Sequence, residues 1–417
     1  MEARVDYKNS LLVLFLFAIT LLFQVTGLKF IWSLENTARI INLLVLFLLI
    51  AYSGYNIGKG VYPKNVWTFY LLPGLIIFFG IFFNVTINVF SNFKLISYYG
   101  QTLPWLVYLI IPPLLKKRKI NTRLLWRYYY YFLLIINILG ILEYVLVSHG
   151  ILSLRLLKTP YGVYLAGYFS ILHMLSNGTA YFRYYSCFIE PGTLAMFLLP
   201  AISYAFFNKK YFGLLIFLIS FYLTFSLGGI ISLLMLVAII SFLLLNGKKN
   251  NLLYTLFGFF IVTAILLFNF SGSIAEKYKK KDLSAKVREQ NISSTITNLP
   301  VILMTNPMGL TLATDTESFE QNPLYVGSNF SPITYLEYGG AGAFLGYLLC
   351  LTVSFIIALK SIKRNDLSME EKVVFSSILV LLPFIVQRTT IWESALFGLL
   401  FAPSILRVIE KRRITKK

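Results

Sequence analysis

Long apolar runs, separated by shorter polar segments, make up most of the chain. Runs of about 15–25 residues match the ~30 Å hydrocarbon thickness of a bilayer when they are helical. The pattern therefore predicts an all-α integral membrane protein with about twelve transmembrane helices, in a single polytopic membrane domain over residues 1–417. The predicted helices lie at 11–28, 38–57, 66–90, 95–115, 126–148, 187–207, 212–226, 228–246, 251–270, 333–360, 371–387 and 391–406.

Basic residues cluster in the short segments between these runs. Consecutive clusters are always separated by an even number of predicted helices, as expected if every cluster faces the same side. Because short basic loops mark the cytoplasmic side of a membrane protein, both termini are predicted to be cytoplasmic. The clusters are Lys116 to Lys119, Lys209-Lys210, Lys248-Lys249, Lys360 to Arg364, and Arg407 to Lys417.

Composition supports this interpretation. Hydrophobic residues make up 58% of the chain and charged residues 13%, with a mean hydropathy of +0.74, which excludes an ordinary water-soluble enzyme. The net charge of +20 follows from the basic loops, so we expect no nucleic-acid partner. We also expect no metal site and no disulfide framework. Cys187 and Cys350 lie at or in apolar runs, and His149 and His173 have no carboxylate cluster beside them.

Two longer segments fall on the extracytoplasmic side in this topology. The first, 149–186, is rich in aromatic and aliphatic residues, and we predict that it lies in the membrane interface or enters the membrane as a partial helix. The second, 271–332, begins with a charged, helix-favouring stretch at 275–290. It continues as an apolar helix at 296–304 and turns at Asn306 to Gly309, which predicts a large extracytoplasmic loop subdomain.

Charges that loop placement does not explain are the best candidates for function, because an ionisable group at membrane depth is costly. Arg183 lies in an aromatic, apolar stretch just before the helix predicted at 187–207, where a guanidinium requires an anion. Glu190 precedes Pro191, and this pair also suits an ordinary helix start: proline fits the first turn and a carboxylate opposes the positive end of the helix dipole.

Four further residues remain open between structural and functional interpretations. Arg288, in the large outer loop, suits a ligand site or a solvated helix face. Arg388 and Glu393 flank Trp392 in the last outer turn, where a structural ion pair is the alternative to a binding role. Glu143, inside a predicted helix, is either the partner of a buried arginine or a site residue.

Four stretches within residues 120–360 form an ordered set of motifs. They are Arg183 to Pro191, Thr224 to Gly228, Lys286 through Arg288 to Asn306-Pro307-Met308-Gly309, and Ser328-Asn329-Phe330 through Glu337 to Gly342. Together with the number of helices, they resemble the bacterial O-antigen and capsular polysaccharide polymerases, which are related to the O-antigen ligases. Ligases of this superfamily usually carry a histidine near the end of the large loop. Ser328 and Asn329 stand in that region here, which favours a polymerase.

The resemblance implies a reaction between two polyprenyl-diphosphate-linked oligosaccharides on the extracytoplasmic face of the bacterial plasma membrane. It implies that Arg183 and Arg288 bind the diphosphate and that Glu190 orients or deprotonates the acceptor. Arg388 and Asn329 are further candidates for substrate binding, and Tyr184 and Tyr185 could stack on sugar rings.

This reading implies neither a metal nor another cofactor. The lipid bilayer is an expected partner, and a protein that regulates chain length is a further candidate. A flippase for the same lipid-linked sugars and an O-antigen ligase are the alternatives. The absence of a visible internal repeat and the external position of the unexplained charges favour the polymerase.

Overall fold

The chain is mostly helical, in agreement with the sequence pattern. The structure is a computed structural model, and it describes residues 14–58, 72–88, 122–159, 162–174, 182–188, 190–224, 226–244, 293–294, 297–310, 331–362, 364, 366–387, 397–401, 403–405 and 408.

Nine α-helices and four strands carry labels below. The helices are α1 (Leu28–Ile31), α2 (Glu35–Gly58), α3 (Leu72–Asn88), α4 (Thr122–Ser148), α5 (Pro191–Phe207), α6 (Tyr211–Leu223), α7 (Leu227–Leu244), α8 (Ser331–Ile362) and α9 (Met369–Gln387). A helical segment at 14–25 precedes α1, and its second half, Thr20–Val25, is a π-helix. A shorter helix occupies 297–305, and a second π-helical turn spans Phe397–Phe401.

Eight of the predicted apolar runs coincide with α2 to α9 except for small shifts of their ends, so their prediction as helices is confirmed. The runs at 95–115 and 251–270 lie outside the described residues, and those at 11–28 and 391–406 are described in part. Two described helices are long and apolar enough to cross a bilayer: Thr122–Ser148 and Gly339–Ile362.

Helix α5 is the centre of the bundle. Of its residues, only Phe206 is partly exposed, and α4, α6, α7 and α9 pack around it. It runs antiparallel to α4: Trp126 stacks on Tyr204 with ring centroids 6.1 Å apart, and the Tyr129 hydroxyl donates to the Phe197 carbonyl at 2.6 Å. That bond lies just before Pro200, whose missing N–H interrupts the helical hydrogen-bond ladder.

The outer surface of the bundle is apolar, and its inner contacts include polar groups. Ser203 of α5 and Ser376 of α9 share a hydrogen bond of 2.9 Å, and both are fully buried. The outward side chains recur at helical spacing, so α2, α4, α6 and α8 each present an apolar stripe away from the bundle. These stripes include Ile40, Leu44, Phe47, Leu48 and Tyr55 on α2; Ile135, Leu142 and Val145 on α4; Tyr211, Leu215, Leu218 and Tyr222 on α6; and Leu345, Leu349, Ile356 and Leu359 on α8.

Basic residues gather at one end of the bundle, which we call the basic end. The start of α4 and the start of α6 meet there, because the Lys210 ammonium donates to the Tyr131 hydroxyl at 3.2 Å and lies over the same ring. Arg127 also lies over the Tyr131 ring, with 5.7 Å to its centroid. The turn that leads into α9 carries Arg364 and also lies at this end. Ser203, near the end of α5, bonds to Ser376, near the start of α9, so the start of α9 lies beside the end of α5.

The segment after α4 is a four-stranded antiparallel sheet, so the prediction of a partial helix there, and with it a purely all-α fold, is wrong. Its strands follow one another in chain order. Because α4 and α5 run antiparallel, the last turn of α4 and the first turn of α5 lie opposite the basic end. We call this side of the bundle the sheet end. The strands are β1 (Arg155–Thr159), β2 (Gly162–Ala166), β3 (Ile171–Met174) and β4 (Phe182–Tyr184).

Helix α8 is broken near its start and packs closely on α3. At Gly340 the backbone takes φ 69° and ψ −168°, which interrupts the helix. A Cβ on Gly80 of α3 would come within 2.6 Å of the Gly339 carbonyl, so this crossing requires glycines. The turn at 306–310, predicted from the sequence, is confirmed and docks against the break, where the Ala341 amide donates to the Pro307 carbonyl at 2.8 Å.

Candidate functional site

The carboxylate of Glu143 fastens the sheet to the bundle. It projects from the last third of α4 and accepts hydrogen bonds from the amides of Tyr168 and Phe169 at 2.6 and 3.1 Å. It also accepts from the Ser170 hydroxyl at 2.6 Å. These donors form the turn between β2 and β3. A Cβ on Gly167 would lie 2.5 Å from a Glu143 oxygen, so the turn approaches the helix as closely as glycine allows.

Sequence reasoning left Glu143 between an arginine partner and a site residue, and the structure assigns its oxygens to this turn instead. The side chain is 94% buried, and charge-assisted bonds to main-chain amides compensate for its removal from water. Such an anchor is hard to recognise in a sequence, because backbone amides have no residue signature.

Tyr184 of β4 inserts into a notch on the same face of α4. Its ring has no exposed surface, and its hydroxyl lies 3.3 Å from the Asn137 side-chain oxygen. Gly140 forms the floor of the notch, because a Cβ there would collide with the Tyr184 hydroxyl. Burial raises the pKa of the Tyr184 phenol, so the hydroxyl keeps its proton and acts as a donor.

Arg183 and Glu190 both lie at the sheet end. Arg183 is in β4 and pairs with His173 of β3. For Arg183 the structure describes the backbone. Glu190 is exposed and is the N-cap of α5, where its carbonyl accepts from the Leu194 amide at 3.1 Å and Pro191 begins the first turn. The prediction of a helix start at Glu190-Pro191 is therefore confirmed.

The segment between these two residues is held from both sides. Ser186 has a positive φ of 50°, and its carbonyl accepts from the Ile171 amide at 2.6 Å. The Cys187 carbonyl accepts from the Gly27 amide at 2.6 Å, which ties the segment to the loop before α1. Backbone bonds to β3 and to the N-terminal region therefore fix the path from Arg183 to Glu190.

The other predicted site residues give less support for a substrate site at the sheet end. Tyr184 and Tyr185 are both buried, and Tyr185 meets Tyr164 edge-on with ring centroids 6.3 Å apart. This favours a packing role, and their binding of sugar stays a prediction. Arg288, Arg388 and Asn329 lie outside the described residues.

A second buried carboxylate, Glu337, lies one turn before the break in α8. It is fully buried, and its main-chain carbonyl accepts from the Leu310 amide at 2.8 Å. Tyr335 and Tyr347 stack on either side of the break with ring centroids 4.2 Å apart. Sequence analysis had included Glu337 only in a motif. The signal that singles it out is an acid two residues before the glycine pair Gly339-Gly340, at the start of an apolar run.

The described residues contain no group of three or more His, Cys, Asp or Glu side chains that could hold a metal ion. Metal independence stays a prediction. The arrangement at the sheet end offers an arginine-bearing strand and an exposed carboxylate at a helix start, which are groups suited to binding an anion and accepting a proton.

Comparisons of the chain with protein-family models, with curated proteins and with solved structures find no match. The resemblance to polysaccharide polymerases therefore rests on the sequence motifs alone.

Proposed function

We propose that the protein is a metal-independent glycosyltransferase of the bacterial plasma membrane that polymerises O-antigen or capsular polysaccharide from polyprenyl-diphosphate-linked oligosaccharide repeat units. The observation that carries the proposal is the position of Arg183 and Glu190 at the sheet end of the bundle, opposite the end where Arg127 and Lys210 lie. If basic loops mark the cytoplasm, this end meets substrates that have already crossed the membrane.

The apolar outer stripes of the bundle support its placement in a membrane, because a soluble monomer rarely exposes so many large apolar side chains in continuous stripes. In this proposal the twelve predicted helices all cross the bilayer and both termini are cytoplasmic. The sheet and the loop at 271–332 are extracytoplasmic, and a partner protein sets the length of the polymer.

The reaction joins one repeat unit to another. The hydroxyl oxygen of the acceptor attacks the anomeric carbon of the donor, the bond from that carbon to the diphosphate oxygen breaks, and the diphosphate leaves with its polyprenyl chain. The hydroxyl proton passes to a carboxylate, for which Glu190 is the candidate. Because the donor is already activated, the protein's main tasks are to hold the developing negative charge and to orient the acceptor.

Arginine suits the first task, because its planar guanidinium binds phosphate through two parallel hydrogen bonds and keeps its charge in an apolar site. We assign Arg183 and Arg288 to the diphosphate, and Arg388 and Asn329 to further substrate contacts. Backbone bonds hold the chain around Arg183, which favours an oriented site.

A flippase for the same lipid-linked sugars is the second candidate, and a ligase that transfers the finished glycan to another acceptor is the third. The break in α8 beside the buried Glu337 is a feature that transporters also use, because half-helix ends near the midplane bind ions and substrates. The two classes differ in outcome, since a flippase moves its substrate without forming a bond.

The test is to incubate purified protein with a defined polyprenyl-diphosphate repeat unit and to separate the glycans on a gel. A ladder is expected from the wild type and none from Arg183→Ala, while Arg183→Lys, which keeps the charge and loses the two-bond geometry, should give a weaker ladder. Arg364→Ala is the matched control, because Arg364 pairs with Asp366 at the basic end. A normal ladder from Arg183→Ala would remove Arg183 from the site.

A further inference from the structure

The sheet end carries large apolar side chains that are left exposed. Ile151 and Leu156 are 72% and 73% exposed, Tyr168 is 65% exposed and Trp32 is 42% exposed. We infer that this surface, which we call the apron, contacts the boundary between headgroups and acyl chains in the outer leaflet of the bilayer. The inference rests on the membrane placement proposed above.

The apron is built from parts of the chain that lie far apart in sequence and are fastened together. The Trp32 indole N–H donates to the Tyr168 carbonyl at 3.0 Å, and the Trp32 ring meets Phe169 edge-on with centroids 6.4 Å apart. The guanidinium of Arg155 donates to the Ile31 carbonyl next to Trp32. Trp32 and the turn that carries Tyr168 are therefore held together before any partner arrives.

The depth of the sheet along α4 places the apron near lipid. Helix α4 has 27 residues and is about 40 Å long, roughly 10 Å more than the hydrocarbon core. The sheet is attached at Glu143, about 7 Å before the end of α4, and at Asn137, about 16 Å before it. If the excess length is shared equally between the two sides, about 5 Å projects on this side, and both attachments lie within the hydrocarbon boundary.

The apron also continues the apolar stripe of α4. Gly150, just after the end of α4, has a positive φ of 71°, and the Ile151 amide then donates back to the Leu146 carbonyl at 2.9 Å. The backbone of Ile151 therefore lies beside the last turn of α4, where Val145 and Leu146 are exposed.

The composition of the apron and its rim matches the interface rather than the acyl interior. Tryptophan and tyrosine concentrate where an apolar ring can meet headgroups, and long basic side chains reach from there to lipid phosphates. Trp32 and Tyr168 supply the rings, while Arg155 and Lys29, which lies over the Phe30 ring at 5.0 Å, supply the charges. The apron then lies at the boundary between acyl chains and headgroups, close to the level at which the diphosphate of a lipid-linked sugar is found.

The experiment uses single cysteines carrying a spin label, in full-length protein reconstituted into phospholipid vesicles. Labels go on Ile151→Cys and Leu156→Cys, because these exposed side chains contribute little packing. The native Cys187 and Cys350 are buried and are replaced by alanine. Phe47→Cys, on the outer stripe of α2, is the lipid control, and Asp366→Cys, at the basic end, is the water control.

Collision rates are measured with oxygen, which concentrates in lipid, and with a nickel chelate, which stays in water. We expect the ratio of oxygen to nickel rates at 151 and 156 to be several-fold higher than at 366 and lower than at 47, as for sites at the boundary between headgroups and acyl chains. Ratios like that at 366 would overturn the inference, as would shielding from nickel that appears only when soluble oligosaccharide is added, because the apron would then bind glycan.

A water-like ratio at 47 would contradict the membrane placement itself. A polymerisation assay on the same vesicles separates the two proposals. Ratios well above that at 366 without a glycan ladder would support contact of the apron with lipid and count against the polymerase. A ladder with water-like ratios at 151 and 156 would support the polymerase and count against contact of the apron with lipid.

Discussion

Replacing Glu143 with alanine should release the sheet from α4 while leaving the bundle folded. The variant deprives three donors of their acceptor: the amides of Tyr168 and Phe169 and the hydroxyl of Ser170. A buried donor left unsatisfied costs about 1–3 kcal/mol. Even the lower figure for each donor gives about 3 kcal/mol, so the equilibrium constant for local opening of the turn should rise on the order of 100-fold.

Hydrogen–deuterium exchange of peptides covering residues 162–174 measures this opening in detergent or in nanodiscs. Exchange should accelerate there in Glu143→Ala, and less in Glu143→Gln, because the amide keeps one acceptor oxygen. Gly167→Ala should act in the same region by a different route, since its added methyl group displaces the Glu143 carboxylate. Ser148→Ala is the control on the same helix, where the hydroxyl bonds only within α4 and to His149.

Unchanged protection of 162–174 in Glu143→Ala would refute the anchoring role, because no other described side chain supplies an acceptor to all three donors. Uniform loss of protection over the whole chain would refute it as well, since global unfolding would mean that Glu143 supports the bundle rather than the sheet.

Two further predictions concern the bundle. Gly340→Ala should destabilise the protein by about 2 kcal/mol or more, because the added Cβ would collide with the Pro307 carbonyl and the φ of this residue is positive. Gly342→Ala is the control and should be tolerated, because its Cβ would meet its nearest atom at 3.7 Å. Equal thermal unfolding midpoints for the two variants would contradict this prediction. Ser203→Ala and Ser376→Ala should show a coupling energy of about 0.6 kcal/mol in a double-mutant cycle, and additive effects would show that their hydrogen bond contributes nothing.

Sequence patterns predicted the helices well because the apolar runs are long and uniform, so length alone identifies them. The sheet was missed for a related reason. The segment 149–186 is rich in aromatic and aliphatic residues, and this content was interpreted as affinity for the membrane interface or as a partial helix. The signals that favour strands were present in Gly162, in Asn177-Gly178 and in the β-branched and aromatic residues between them.

The contacts of the candidate site were harder to predict. Glu143 binds main-chain amides 25 and 26 residues away, and Trp32 binds a carbonyl 136 residues away. In both pairings the partner is a main-chain group, so the sequence contains no complementary side chain that would indicate the contact. Arg183 and Glu190, by contrast, could be singled out because a charge in an aromatic stretch and an acid before a proline are visible locally, and the structure places both at the sheet end.

The central claim is that the protein forms glycosidic bonds between lipid-linked repeat units. The most direct measurement supplies the purified protein with a single-repeat substrate and follows both products by mass spectrometry. The account predicts a glycan of two repeats on one polyprenyl diphosphate, with one free polyprenyl diphosphate released for each bond formed. Unchanged substrate in the presence of folded protein would contradict it, and substrate that crosses the vesicle membrane without forming a bond would identify a flippase instead.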